Sequence, residues 1–401
     1  MTAANSRNGV ELADIFRQHI GAYRARYKMP VSHLKVASAI LNCRTSYLGG
    51  HIERCDHCQA ETIAYNSCRN RHCPKCQCLT KERWLAARRA ELLPTRYFHT
   101  VFTVDHALNP VILTNKGKML NILFKAVSDT LLAFGRNPDN GLGGQLGIIA
   151  VLHTWDQKLR DHFHLHCLVP AGALCEDKTG WSPCRGDFLF HVKALSIVFR
   201  KKYLDYFETA CRNNELIFPG QTKALGTAKG FKDLLNRCYA NRWVVDIRKP
   251  IDRPEYVLDY LGRYTHRVAI SNNRIVSCDN GKVCFTYKNR DTGQMEQETI
   301  DAVEFIRRFL LHVLPKRFMR IRHYGFLSNR NKKRNVQICR KLIGQSDQLP
   351  EVVDESIEQV MLRLTGVDIT RCPRCKKGTL IAVARIPKGK GASAFAILHP
   401  P

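Results

Sequence analysis

The sequence contains no apolar run long enough to cross a bilayer; its longest, LGIIAVL at 146–152, falls far short of the ~20 residues a spanning helix needs. It also lacks the charged-then-apolar N-terminal pattern of an export leader, so the expectation is a folded cytoplasmic protein with no membrane partner. No GxxxxGKS or GxxxxGKT phosphate loop is present, which removes a built-in nucleotide-driven motor. There is no long internal repeat and no low-complexity linker, which excludes a solenoid or a string of tethered modules. Acidic residues are scarce: 35 Asp and Glu face 63 Lys and Arg, a formal net charge of +28 spread along the chain rather than gathered in one tail. A field of that sign draws in a polyanion, and nucleic acid is the usual one.

What is present is enough for a sizeable core, since 44% of the 401 residues are hydrophobic. Residues 1–42 read as a helical segment, with Leu12, Ile15 and Phe16 on one stripe and Val36, Ala37, Ile40 and Leu41 on another after the Met29-Pro30 break. Residues 43–93 read as a zinc-binding domain closed by a basic amphipathic helix, KERWLAARRAELL at 81–93, which Pro94 ends. Residues 94–330 mix strands (97–104, 147–155, 162–169, 243–247 and a hairpin ending in KVCFTYK) with helices near 116–132, 194–213, 227–236 and 254–267. That order predicts an α+β fold with a mixed or antiparallel central sheet flanked by helices. Residues 331–401 form a basic C-terminal region carrying a CPRC knuckle, with a loose end beyond about Lys388.

Seventeen cysteines in a chain without an export signal point to metal rather than disulfides. Cys55-x2-Cys58 and Cys73-x2-Cys76 each place two thiolates on one tight turn, and together they predict one structural Zn²⁺ in a ribbon-like domain. Cys43, His51, Cys68 and His72 are interleaved with them and offer a second, Cys2His2, zinc or simply packing around the first. Arg69, Arg71 and Lys75 sit on the knuckle, placed to meet phosphates or solvent. Cys372 and Cys375 lack an obvious completing pair; Cys339, His399 or a partner chain would have to supply it. The scattered Cys167, Cys211, Cys238, Cys278 and Cys284 read as small buried hydrophobes.

His164-Leu165-His166 lies in a strand-like run, where alternate residues share a face, so both imidazoles project together and make half of a divalent-metal site. His162 follows the same alternation, and Asp156, Gln157 and Asp161 lie just upstream to complete a coordination shell. Tyr260 and Tyr264, four apart in a helical pattern, share a helix face, and Tyr256 extends the stripe by a turn; a core-facing aromatic stripe has the same spacing. Arg263 and Arg267 bring positive charge beside these phenols. A metal that polarises a DNA phosphate and a phenolate that attacks it form a coherent nicking mechanism, and two tyrosines allow two successive strand transfers.

The runs CRTSYLGGH, YNSCRNRHCPKCQ, LHTWDQKLRDHFHLHCLVP, YLGRYTHRVAIS and FIRRFLLHVLPKRFMRIRHYGFL closely resemble the insertion-sequence-91 family of transposases, from about Val10 to Lys377. The resemblance implies an N-terminal zinc-binding domain joined to an HUH-type nuclease. Such a protein nicks and rejoins single-stranded DNA at element ends and drives rolling-circle transposition. Its metal histidines fall on His164 and His166 and its tyrosine pair on Tyr260 and Tyr264; YLGRY also resembles the tyrosine motif of Helitron transposases. The resemblance further implies a catalytic Mg²⁺ or Mn²⁺ and a third metal ligand from nearby structure, for which Gln157 is the first choice and Asp161 or His162 the next. His162-Phe163 departs from the family's His-Pro before the pair, which bears on the local turn. The implied partners are element-end and target DNA and a host helicase, in the cytoplasm of a bacterium at its nucleoid. The rival readings are a plasmid-type rolling-circle replication initiator and a non-catalytic, zinc-dependent DNA-binding protein.

Overall fold

The computed structural model describes residues 9–389 apart from 90, 253–255, 258–261, 263–267, 290 and 352–354. The chain opens with α1 (Leu12–Arg26), α2 (Val31–Leu41), β1 (Gly50–Cys55), β2 (Glu61–Tyr65) and α3 (Gln77–Arg89). It continues through β3 (Tyr97–Thr103), α4 (Asn109–Thr114), α5 (Lys116–Arg136), β4 (Gly147–Trp155), β5 (Asp161–Pro170), β6 (Gly172–Leu174) and β7 (Trp181–Pro183). Then follow α6 (Val192–Arg212), α7 (Ala228–Ala240), β8 (Val244–Ile247), β9 (Ile275–Asp279), β10 (Lys282–Lys288) and β11 (Met295–Asp301). Helix Ala302–Leu311, β12 (Ile321–Gly325), helices Lys332–Leu342 and Ile357–Thr365, and β13 (Leu380–Ile386) complete the order.

The core is a five-stranded sheet, β12-β4-β5-β3-β8, antiparallel at every pairing. β4 is buried along its whole length, as its near-continuous apolar sequence GIIAVLHTW requires of a central strand. Alternation on β4 and β5 divides the side chains between two faces. Ile148, Ala150, Leu152, Leu165, Cys167 and Val169 meet Met119, Leu123, Phe124 and Val127 of α5 and Phe199 and Tyr203 of α6 in the largest apolar cluster. Burying each large side chain of this kind contributes about 1.5–3 kcal/mol. Ile149, Val151 and Leu168 point the other way and pack with Leu85, Val257, Phe326 and Val336.

A second core joins the chain's beginning to residues 269–313: α1 and α2 pack on the β9-β10-β11 sheet and the helix Ala302–Leu311, with the rings of Phe16 and Phe309 edge to face at 5.6 Å. A third sheet, β13-β1-β2, brings the C-terminal strand against the N-terminal hairpin, with Gly50 opposite Ile386 and Cys55 opposite Leu380. No helix among the described residues is long and apolar enough to cross a membrane.

The turn leaving β12 depends on one glycine. Gly325 sits at φ +61, and a Cβ there would lie 1.7 Å from the carbonyl oxygen of Leu146. Gly325→Ala is expected to cost more than ~2 kcal/mol, read as a lower urea midpoint at unchanged slope, because strain and collision add.

Candidate functional site

The hydrogen-bond register of three strands assembles a histidine cluster on one face of the central sheet. His153 of β4 stands opposite His164 of β5, and Val151 and Val101 flank His166 from either side. A ring nitrogen from each of His153, His164 and His166 lies within 4.8 Å of the others. Nε2 of His164 and Nε2 of His166 are 3.1 Å apart. That matches the ~3 Å edge between two imidazole nitrogens bound at right angles about 2.1 Å from a shared ion.

Hydrogen bonds from behind orient two of these rings. With Nε2 facing the cluster, His164 Nδ1–H donates to the carbonyl of His162 at 2.9 Å. His166 Nδ1–H likewise donates to Nε2 of His99 at 2.8 Å, and the two rings stack 10° from parallel. An imidazole held from behind in this way presents a lone pair in a set direction. His153 lies flat against Trp155, their rings 5.3 Å apart. Burial holds His166 well below the usual histidine range, with the neighbouring histidines and Arg248 adding to it. Burial, with Arg248, lowers His99 to about 3. His166 is therefore ready to offer its lone pair to a divalent cation without first shedding a proton.

His164 and His166, expected as a pair, lie together, and His153 brings a third ring nitrogen to them. Gln157 lies in the turn between β4 and β5, where its carbonyl accepts from Arg274 at 2.5 Å. His162 stacks on His106 at 5.2 Å and, with Gln157 and Asp161, lines an adjoining cleft of about 640 Å³. His153 was legible only through register: the turn is short, and counting back along β4 sets it opposite His164.

Tyr260, Tyr264, Arg263 and Arg267 lie outside the described residues. Their immediate neighbours are described. Val257 is fully buried on the sheet face that carries the histidines, Tyr256 is exposed, and a Cβ on Gly262 would touch Leu85 of α3 at 3.0 Å.

The cysteines form two quartets, and neither is the one the spacing suggested. Cys43, Cys68, Cys73 and Cys76 make one; Cys55, Cys58, Cys372 and Cys375 make the other. Sγ separations of 3.5 Å (Cys43 to Cys76) and 3.6 Å (Cys68 to Cys76), and of 3.7 Å (Cys55 to Cys375 and Cys58 to Cys372), approach the ~3.8 Å edge of a tetrahedron with 2.3 Å arms. Backbone N–H groups donate to the sulfurs, from Cys58 to Cys55, from Asn70 to Cys68 and from Gly378 to Cys375. The N–H groups of Gly378 and Lys377 lower Cys375 to about 6. Hydrogen bonds from Cys68 and Cys73 lower Cys43 to about 7, while Cys68 is driven up by Cys43. Four sulfurs at these distances compete for one another's protons, and a dication removes the competition by stabilising all four as thiolates. Two structural zinc sites fit this donor set.

The expected single site of Cys55, Cys58, Cys73 and Cys76 is thus corrected, because β1 pairs with β13 and sets the distant CPRC turn beside the CDHC turn. His51 and His72 belong to neither quartet. His51 Nε2 meets Glu53 at 2.9 Å, and His72 is half-buried with its ring held neutral, at about 3, chiefly by burial. Among the knuckle cations only Arg69 is exposed. Arg71 donates to the carbonyls of Phe318 at 2.6 Å and Pro315 at 2.8 Å, and Lys75 pairs with Glu11 at 2.5 Å.

Comparison with known proteins bears on both parts. Residues 15–104 match a family described as a transposase zinc-binding domain, and residues 147–335 match one described as a putative transposase. The second range contains all three clustered histidines, whereas Cys372 and Cys375 lie beyond both. The chain is 44% identical over 386 residues to the putative transposase y4qJ of Sinorhizobium fredii, covering 94% of this chain and 96% of that one. It is 28% identical over 300 residues to the transposase for insertion sequence element IS801 of Pseudomonas savastanoi pv. phaseolicola, covering 74% and 70%. No solved structure matches it.

Proposed function

Because this chain belongs to the insertion-sequence-91 family of transposases, we propose that it cuts and rejoins single-stranded DNA at the ends of its element through 5′-phosphotyrosine intermediates, in rolling-circle transposition. One observation supports this above all: His153, His164 and His166 converge on the sheet face that also carries Val257, three residues before Tyr260. In this reading the five-stranded sheet is an HUH-type nuclease core whose three imidazoles hold Mg²⁺ or Mn²⁺. Such an ion, when bound, polarises the scissile phosphate and offsets the charge of the transition state.

The side chains do the rest. The phenolate oxygen of Tyr260 or Tyr264 attacks phosphorus and forms the bond to the 5′ end; the P–O3′ bond breaks, and the departing 3′ oxygen takes up a proton. Rejoining is the reverse: a 3′-hydroxyl gives up its proton, attacks the phosphotyrosine and restores the phenol. Tyrosines one helical turn apart let the second accept a strand while the first still carries one. Arg263 and Arg267 supply positive charge beside the reacting phosphate, and Arg69 extends the basic surface. The partners are element-end and target DNA, with unwinding by a host helicase at the nucleoid of a bacterial cytoplasm.

The test is a labelled single-stranded oligonucleotide carrying an element end. With Mn²⁺ it should form an adduct that survives denaturing electrophoresis; with EDTA, or with the Tyr260→Phe, Tyr264→Phe double variant, it should form none. An adduct made equally well in EDTA would sink the metal-dependent reading.

A further inference from the structure

Two concavities of about 520 and 630 Å³ meet at Gly117 and Pro315, where the start of α5 faces the loop before β12. Among the described residues their lining contains no Asp or Glu, whereas the cleft beside the histidines contains Asp156, Asp161 and Asp291. One end offers His33, Lys116 and Lys118, the last paired with Glu215; the other offers Lys316, Arg317 and Arg322. The loop itself is gripped by cations: Arg71 donates to the carbonyls of Pro315 and Phe318, and Lys116 to those of Leu311 and Val313. Among the described residues none of Arg71, Lys116, Lys316, Arg317 and Arg322 takes part in an ion pair. Burial lowers Lys116 to about 8, the sign of a positive charge held out of water without a carboxylate near it.

This trough also carries a planar cation and an exposed apolar side chain. The Arg322 guanidinium lies 4.1 Å above the Phe124 ring and 5.0 Å from that of Phe318, its position set by Asn121 at 2.5 Å. Met319, 64% exposed, stands between Arg317 and Arg322 in the lining. Planar guanidinium groups on either side of an exposed apolar side chain in a basic groove fit single-stranded nucleic acid better than a duplex, whose base faces are covered. The Arg322 end of the trough and the histidines lie on opposite faces of the central sheet. Arg322 stands opposite Ala150, on the face that α5 covers, and the histidines stand on the other face.

We propose that this trough is a second DNA-binding surface, which holds a segment of single-stranded DNA away from the reacting phosphate. The proposal rests on DNA as the substrate class but not on the tyrosine chemistry. Its test is fluorescence anisotropy of a labelled oligothymidylate of about 30 nucleotides with the full-length protein, titrated at several salt concentrations. Lys316→Glu with Arg317→Glu should weaken binding at least ~10-fold and flatten the salt dependence, each lost phosphate contact removing about 0.7 from the slope. Arg322→Gln, which keeps a planar amide on Phe124, should weaken it at least ~3-fold. Lys229→Glu with Lys232→Glu, the same charge change on exposed positions of α7, should cost less than ~3-fold. Equal weakening by the trough and α7 variants, or a trough dependence seen only with duplex of the same length, would overturn the proposal. Wild-type binding that follows this pattern without any adduct at element ends would instead defeat the tyrosine reading and leave the trough standing.

Discussion

Alanine at His153 should raise the Mn²⁺ concentration needed for half-maximal DNA cleavage at least ~100-fold and lower the rate at saturating metal by roughly 10²–10⁴. The expectation follows from position: His153 contributes one of three ring nitrogens within 4.8 Å, and its loss leaves two imidazoles from alternate positions of one strand. His164→Ala and His166→Ala should be at least as damaging. Gln157→Ala should stay within about 3-fold of the parent on both measures, since that residue engages Arg274 through its backbone carbonyl, which the substitution keeps. His99→Gln should fall between, at 10–100-fold in metal affinity, because His99 orients His166 without joining the cluster. DNA affinity should barely change in any of these variants, for binding rests on the distributed cations. A Gln157 variant as impaired as His153→Ala would return the amide to the coordination shell.

The second large effect concerns zinc. Protein purified without chelators should contain about two zinc ions per chain, and the Cys372→Ser, Cys375→Ser double variant about one. Losing the site that ties β1 to β13 should cost several kcal/mol and lower the unfolding midpoint by roughly 3–6 °C, at about 1.2 °C per kcal/mol for a chain of 401 residues. The pairing itself is open to a double-mutant cycle. Cys55→Ser combined with Cys372→Ser should be far from additive, because either change alone empties the same site, whereas Cys55→Ser combined with Cys73→Ser should add. The reverse pattern would restore the quartet read from the CxxC spacing.

These two cases mark where the sequence is informative and where it falls silent. The strands at 97–104, 147–155 and 162–169 were legible because β-branched and aromatic residues run or alternate there, and HxH was legible because alternation alone puts both rings on one face. The amphipathic helices were legible from their stripes, as in α5. His153 was hidden inside an apolar run, since only the cross-strand register makes it a neighbour of His164. His99 was hidden for the same reason, one strand further over. The thiol pairing was hidden because a CxxC turn specifies two corners of a tetrahedron and nothing about which turn supplies the others; here the answer is a strand pairing between the two ends of the chain. Gln157, in the turn between the two strands, is tied to Arg274 through its backbone carbonyl.

Peptide mapping of the trapped adduct identifies the residue that carries the cut strand, expected to be a tyrosine of the YLGRY run. The protein would be incubated with element-end oligonucleotide and Mn²⁺, the covalent species isolated and digested, and the nucleotide-bearing peptide sequenced by mass spectrometry. DNA should be found on Tyr260 or Tyr264, three and seven residues beyond Val257, which is itself buried on the histidine face. Attachment at the exposed Tyr256, or at any residue outside that pair, would contradict the account.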